Sequence, residues 1–188
     1  MVQTPSAVSD LKTVKWSVDD YHRMIRAGIL QDRRVELLAG DIVEMVPVEP
    51  EHEDTGDMLA EYLRRMLGQQ AKVRECKAIT LSTSEPQPDI AVVETRRYRE
   101  HHPYPEQIYL LIEIAKSRPV RDVETKRKVY AAAGIQDYWV LNLQTQQLRV
   151  FRDIVDGDYQ SDQVWMSKTI SPLCFPEVEL SVRQILEG

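Results

Sequence analysis

Two carboxylates, Asp89 and Glu113, each interrupt an apolar run that reads as a buried strand. The runs are Pro88-Asp89-Ile90-Ala91-Val92-Val93 and Ile108-Tyr109-Leu110-Leu111-Ile112-Glu113-Ile114-Ala115. An ionised carboxylate in such a setting is costly unless a cation or several donors satisfy it. Neighbouring strands lie about 4.8 Å apart, so the two side chains converge if their strands pair and both face one way. Two carboxylates, the Ile114 main-chain carbonyl and waters make a suitable shell for Mg²⁺, which prefers hard oxygen ligands. Such an ion polarises a phosphoryl oxygen and acidifies a bound water. Downstream, Arg121-Asp122-Val123-Glu124-Thr125-Lys126 opens an amphipathic segment. Lys126 can orient that water or stabilise charge developing on phosphorus, provided its helix crosses the strand end and the side chain reaches back. The chemistry to expect is metal-dependent hydrolysis of a phosphodiester.

Each of these residues also has an ordinary reading. Asp89 after Pro88 suits a turn. Glu113 can sit in a structural ion pair with Lys116, Arg118 or Lys126. Asp122 and Lys126, four apart, suit a solvated pair on a helix surface. His52 reads as a helix-start residue rather than a ligand, and His101 and His102 as solvent-exposed loop residues. Tyr130, Tyr138 and Trp139 read as packing rather than as base-stacking groups.

The elements that must position these groups follow from punctuation and period. Ser17 and Asp20 mark a helix start, and Gly28 its close. Arg34–Leu38 and Ile42–Val46 read as a hairpin around Ala39-Gly40-Asp41. Met58, Leu59, Tyr62, Leu63, Met66 and Leu67 recur at helical spacing in a segment from about His52 to Leu67. Ala71–Ser82 reads as one strand, followed by the Asp89 and Glu113 strands. Asp122–Ala133 reads as a helix with Gly134 just past its end. Two strands, Asp137–Leu141 and Gln147–Phe151, then short strands and a helix over about Ser181–Leu186 complete the order. This is mixed α/β, with helices on a central sheet and extra hairpins at its edges.

At 188 residues with 43% hydrophobic and 29% charged content, one soluble domain over 15–188 is expected, after a disordered lead-in over 1–14. No apolar stretch approaches the length of a membrane span. Cys76 and Cys174 stand far apart, which fits reduced thiols and a cytoplasmic location. The net charge of −6 argues mildly against nucleic acid. Basic character is concentrated in Arg96, Arg97, Arg99 and the segment from Lys116 to Lys128, however.

The ordered set Pro88-Asp89, Leu111–Ala115, then Asp122, Lys126, Tyr130, Gly134-Ile135 and Tyr138-Trp139 resembles the Uma-two family. These are endonucleases of the PD-(D/E)XK, restriction-endonuclease-like superfamily. The resemblance extends upstream through Arg34–Met45 and His52, and covers roughly Trp16 to Ile185. It implies a mixed central sheet flanked by helices, Mg²⁺ or Mn²⁺ at Asp89 and Glu113, and cleavage of DNA, with a homodimer as the form that cuts both strands. It also implies an upstream carboxylate, Glu36, able to hold a metal-bound water. The superfamily's basic motif places its lysine two residues after the glutamate, where this chain has Ala115. Lys126 on the following helix is the migrated candidate, and Lys116, out of phase with Glu113, is the other. The missing lysine at 115 and the acidic balance also fit an alternative: a weakly active or inactive nucleic-acid or protein-binding module on the same fold.

Overall fold

Ser17 caps the first helix, α1 (Val18–Arg26), through a reciprocal pair. Its hydroxyl accepts from Asp20 N at 3.1 Å and the Asp20 carboxylate accepts from Ser17 N at 3.2 Å. The computed structural model of the chain describes residues 13–115 and 120–187, with only the backbone of 120–122. The lead-in expected over 1–14 therefore lies outside the described residues up to position 12, as do Lys116, Arg118 and the Asp122 side chain.

β1 (Val35–Leu38) and β2 (Asp41–Glu44) pair antiparallel from Val35↔Glu44 to Leu38↔Asp41. Ala39 and Gly40 turn the hairpin with φ of 47° and 79°, the two-residue geometry that matches strand twist. A Cβ on Gly40 would meet Lys15 Cβ at 2.9 Å and the Trp16 carbonyl at 3.2 Å, so both φ and space call for glycine. This hairpin forms its own two-stranded sheet instead of extending the central one. It is tied to the chain before the Asp89 strand by a bridge between Leu37 and Glu85.

α2 (Pro50–Leu67) starts on a proline, whose missing N–H costs nothing in the first turn. The central sheet follows: β3 (Lys72–Glu75), β4 (Ile90–Val93), β5 (Ile108–Ala115), β6 (Tyr138–Asn142), β7 (Gln147–Val155) and β8 (Asp158–Trp165), hydrogen-bonded in that order. β5 and β6 are parallel and the other neighbours antiparallel. A parallel joint needs a crossover, supplied here by α3 (Val120–Ala132). The expected strand over 71–82 is confined to β3, because Cys76 turns to a φ of 46° and its partner β4 ends opposite Glu75. A short pair, β9 (Thr169–Ile170) with β10 (Leu180–Ser181), and α4 (Val182–Glu187) finish the described chain. β7 and β8 are the edge hairpin that the sequence led us to expect.

Alternation along β5 sorts the layers. Leu110, Ile112 and Ile114 pack with Leu59, Leu63 and Leu67 of α2 and with Val182 and Ile185 of α4. Leu111 and Ala115 face the other way and pack with Tyr130 and Ala131 of α3. Glu113 shares their parity, so the fold directs it at α3. α3 ends on Gly134 (φ 80°), with Ile135 N donating to Tyr130 O at 3.0 Å and Gly134 N to Ala131 O at 2.9 Å. That pair of bonds satisfies the last carbonyls and stops the helix just beyond Tyr130.

Candidate active site

Asp89 stands one residue before β4 rather than inside it, and this offset creates the site. The β4–β5 register runs Ile90↔Ile112 and Ala91↔Leu111, so its next step sets Asp89 opposite Glu113. Because Leu111 N donates to β6 through Asp137 O, the even-numbered amides of β5 face β4. A longer ladder would have bonded Ile114 N to the carbonyl of Pro88. The Asp89 carboxylate takes that place, with Oδ2 accepting from Ile114 N at 2.7 Å. The Ile114 carbonyl, pointing to the same side, lies 2.9 Å from His52 Nε2, which is also 3.2 Å from Asp89 Oδ2. Both main-chain groups of Ile114 on the opened edge are thus met by side chains.

On the α3 side, Lys126 is brought to β5 from a helix whose exposed-looking sequence hid it. It is only 2% exposed, so the surface-pair reading of Lys126 does not hold. Its Nζ lies 3.1 and 3.2 Å from the two oxygens of Glu113 and 3.4 Å from Glu36 Oε2. Glu36, on β1, also accepts from Gln87 N at 3.0 Å, which ties the separate hairpin to the segment leading into Asp89. Tyr130, one turn after Lys126, donates its hydroxyl to Glu113 Oε1 at 2.7 Å. Burial, and then the negative charge of Glu113, push the Tyr130 phenol well above its ordinary range, so it remains a donor. Replacing Tyr130 with phenylalanine is expected to lower stability by about 1.5–3 kcal/mol, the worth of a hydrogen bond to a charged group. Urea unfolding of the two proteins measures this; equal midpoints and slopes would mean that the bond contributes nothing net.

The fold therefore sets two groups of contacts on adjacent residues of β5, Asp89 at the Ile114 main chain, and Lys126 and Glu36 at the Glu113 carboxylate. It adds two groups whose sequence reading did not suggest a place here. Tyr130 was legible as packing, and it does pack, edge-on to Tyr138 at 5.1 Å between centroids; its hydroxyl partner came from the fold. His52 is more than a helix-start residue: it is buried, 7% exposed. The available signal was its spacing, two turns before Leu59, which places it on the inward face of α2.

The chemistry of the donors suits a divalent cation. Asp89 opens on a cleft of about 360 Å³ lined also by His52, Gln87, Arg34, Cys76 and the carboxylates of Glu53, Asp57 and Glu75. Four carboxylates against one guanidinium give that lining an acidic character which favours a cation and its waters. Among the described residues no three His, Cys, Asp or Glu side chains converge closely enough to hold an ion alone. An ion here would thus draw on a main-chain oxygen and waters besides side chains, as Mg²⁺ sites commonly do. A basic region lies at the far end of β3 and β4. There Lys72, Arg74 and Arg96 surround the Tyr98 ring at 5.7, 5.1 and 5.8 Å from its centroid. Lys72 pairs with Val93, four residues from Asp89 along the strand, or roughly 13 Å at strand rise.

Comparison with known proteins identifies a family and a fold. Residues 18–183 match the profile of the family Uma2, described as "Putative restriction endonuclease". Among solved structures, the chain is similar to a putative nuclease belonging to DUF820 from Anabaena variabilis ATCC 29413. The two share 16% identity and a TM-score of 0.71, over 93% of this chain and 98% of that one, which shows a common fold. No curated protein matches the chain. Among the described residues no helix is long and apolar enough to cross a membrane.

Proposed function

This chain belongs to the Uma2 family of putative restriction endonucleases, and we propose that it hydrolyses phosphodiester bonds in DNA with the help of Mg²⁺ or Mn²⁺. The observation that carries this reading is the assembly of Asp89, Glu113 and Lys126 around one end of β5, from three separate segments. Asp89, the Ile114 carbonyl and Glu113 would hold the metal, which when bound supplies a polarised phosphoryl oxygen and a more acidic water. Lys126, an ammonium set between Glu113 and Glu36, donates hydrogen bonds to the attacking water and to oxygens gaining charge on phosphorus. Glu113 and Tyr130 fix where that ammonium points. Glu36 offers an acceptor that keeps a water's proton oriented. Lys72, roughly 13 Å along the strand from Asp89, gives the backbone of a bound nucleic-acid strand a second place to rest. A homodimer would bring two such sites to the two strands of a duplex.

Nicking of supercoiled plasmid in Mg²⁺ or Mn²⁺ tests the reading. Asp89→Ala and Glu113→Ala are each expected to lose activity by about 10²–10³-fold, the scale of removing one preorganised charge stabiliser. Cleavage that survives either substitution, or that persists in excess chelator, would remove the metal site from the mechanism. A second reading has support of its own: the acidic cleft lining beside Asp89 disfavours a polyanion until a cation is present. If the wild-type protein binds DNA or RNA without cutting either in Mn²⁺, a binding module on the nuclease fold becomes the better description.

A further inference from the structure

We propose that His52 is itself a metal ligand, and that its nitrogen makes the site prefer Mn²⁺ or a similar transition ion over Mg²⁺. This rests on the metal-dependent reading above and adds a ligand that neither the strand carboxylates nor the lysine implied. Ligands about 2.1 Å from an octahedral ion stand about 3.0 Å apart along an edge of the octahedron. His52 Nε2 lies 2.9 Å from the Ile114 carbonyl and 3.2 Å from Asp89 Oδ2. Each of the two matches the separation of adjacent ligands on one ion.

The ring serves either role by its tautomer. With the proton on Nε2 it donates towards both oxygens. With the proton on Nδ1 it presents a lone pair to the point that the two oxygens share. Three observations hold the ring there. His52 and Asp89 are each 7% exposed, so neither side chain sweeps solvent. α2 passes close over the strand end: a Cβ on Gly56, one turn after His52, would lie 3.6 Å from Ile114 Cδ1. The helix is also anchored by Leu59, Leu63 and Leu67 in the core under β5. Rigid placement of this kind is what a ligand requires and a loosely held surface histidine lacks.

The consequence is selectivity. Oxygen-only sites suit Mg²⁺, whereas an imidazole nitrogen favours first-row transition ions. The test uses the full chain and Mn²⁺ as probe, with calorimetry for affinity and electron spin-echo envelope modulation for the ligand atoms. Wild type is expected to bind Mn²⁺ at least ~10-fold more tightly than Mg²⁺, and the Mn²⁺ complex to show ¹⁴N modulation from a coordinated imidazole. His52→Gln should keep Mn²⁺ binding through its amide oxygen, lose the ¹⁴N signal and bring the two affinities closer. Mn²⁺ bound by wild type without ¹⁴N modulation overturns the proposal and confines His52 to hydrogen bonding, while leaving the metal site itself standing. The wild-type spectrum decides that point even if the variant does not fold. Failure of wild type to bind Mn²⁺ at all, or binding undiminished in Asp89→Ala, overturns both the ligand and the site.

Discussion

Lys126→Ala is expected to cost the protein both activity and stability, and the second loss is as diagnostic as the first. Lys126 is 2% exposed and faces Glu113 and Glu36, themselves 2% and 5% exposed. Removing one partner of a buried ion pair typically destabilises by about 3–5 kcal/mol, because the remaining charge keeps its desolvation cost without its cation. For a domain of this size that is a fall in melting temperature of roughly 6–20 °C. Cleavage should fall by about 10²–10³-fold, on the reading that Lys126 stabilises the charge on phosphorus. The two effects separate when a divalent ion is added. Mn²⁺ at a hundredfold excess over its dissociation constant should restore about 2.7 kcal/mol of stability, since it binds only the folded carboxylates. It should not restore the lysine's part in the chemistry. A calorimetric scan with and without Mn²⁺, alongside the plasmid assay, checks both. An unchanged melting temperature would mean that water already screens the pair, and unchanged cleavage would take Lys126 out of the mechanism.

Arg152→Ala should produce a comparable loss far from the chemistry. Asp137 is fully buried immediately before β6, where its carboxylate accepts from Arg152 at 2.8 and 3.1 Å. It also accepts from Trp139 Nε1 at 2.7 Å and Leu173 N at 2.9 Å. Arg152 reaches on to the Ser171 carbonyl at 2.8 Å, so one ion pair joins the central sheet to the segment before α4. Truncating the arginine again leaves a buried charge, worth about 3–5 kcal/mol at neutral pH. The pH dependence has a definite sign. Burial pushes the Asp137 carboxyl above its ordinary 3.8, against the downward pull of Arg152. A raised carboxyl favours the folded state below its unfolded value, and that contribution is lost as pH rises through the folded value. Without Arg152 the upward push is unopposed by its main counterweight. The deficit of the variant relative to wild type should therefore be largest at neutral pH and shrink as pH falls towards 4. Urea unfolding at several pH values measures it. A deficit that stays constant with pH would assign the loss to packing of the arginine stem instead of to the Asp137 charge.

The sequence by itself determined most of the elements, because their signals are local. Ser17 and Asp20 start α1, Ala39-Gly40 turns the first hairpin, and Gly134 stops α3, each through backbone geometry that a few neighbouring residues decide. It also marked Asp89 and Glu113, since a carboxylate among apolar residues departs from the burial pattern that each strand must satisfy. What those carboxylates bond to was settled by pairing over long stretches of chain. Register places Asp89 opposite Glu113, and the early end of β4 hands Ile114 N to a side chain. Lys126 looked like half of a surface pair because its i,i+4 neighbour is local, whereas its burial depends on α3 crossing back over β5 and β1. His52 entered the site for the same kind of reason: helical spacing shows which way it points, but only the packing of α2 on β5 shows that an opened strand edge lies there. Local propensity fixes each backbone segment within a turn or so. Side chains that meet across segments are chosen by the tertiary register, and chemistry that needs three segments cannot be read from any one of them.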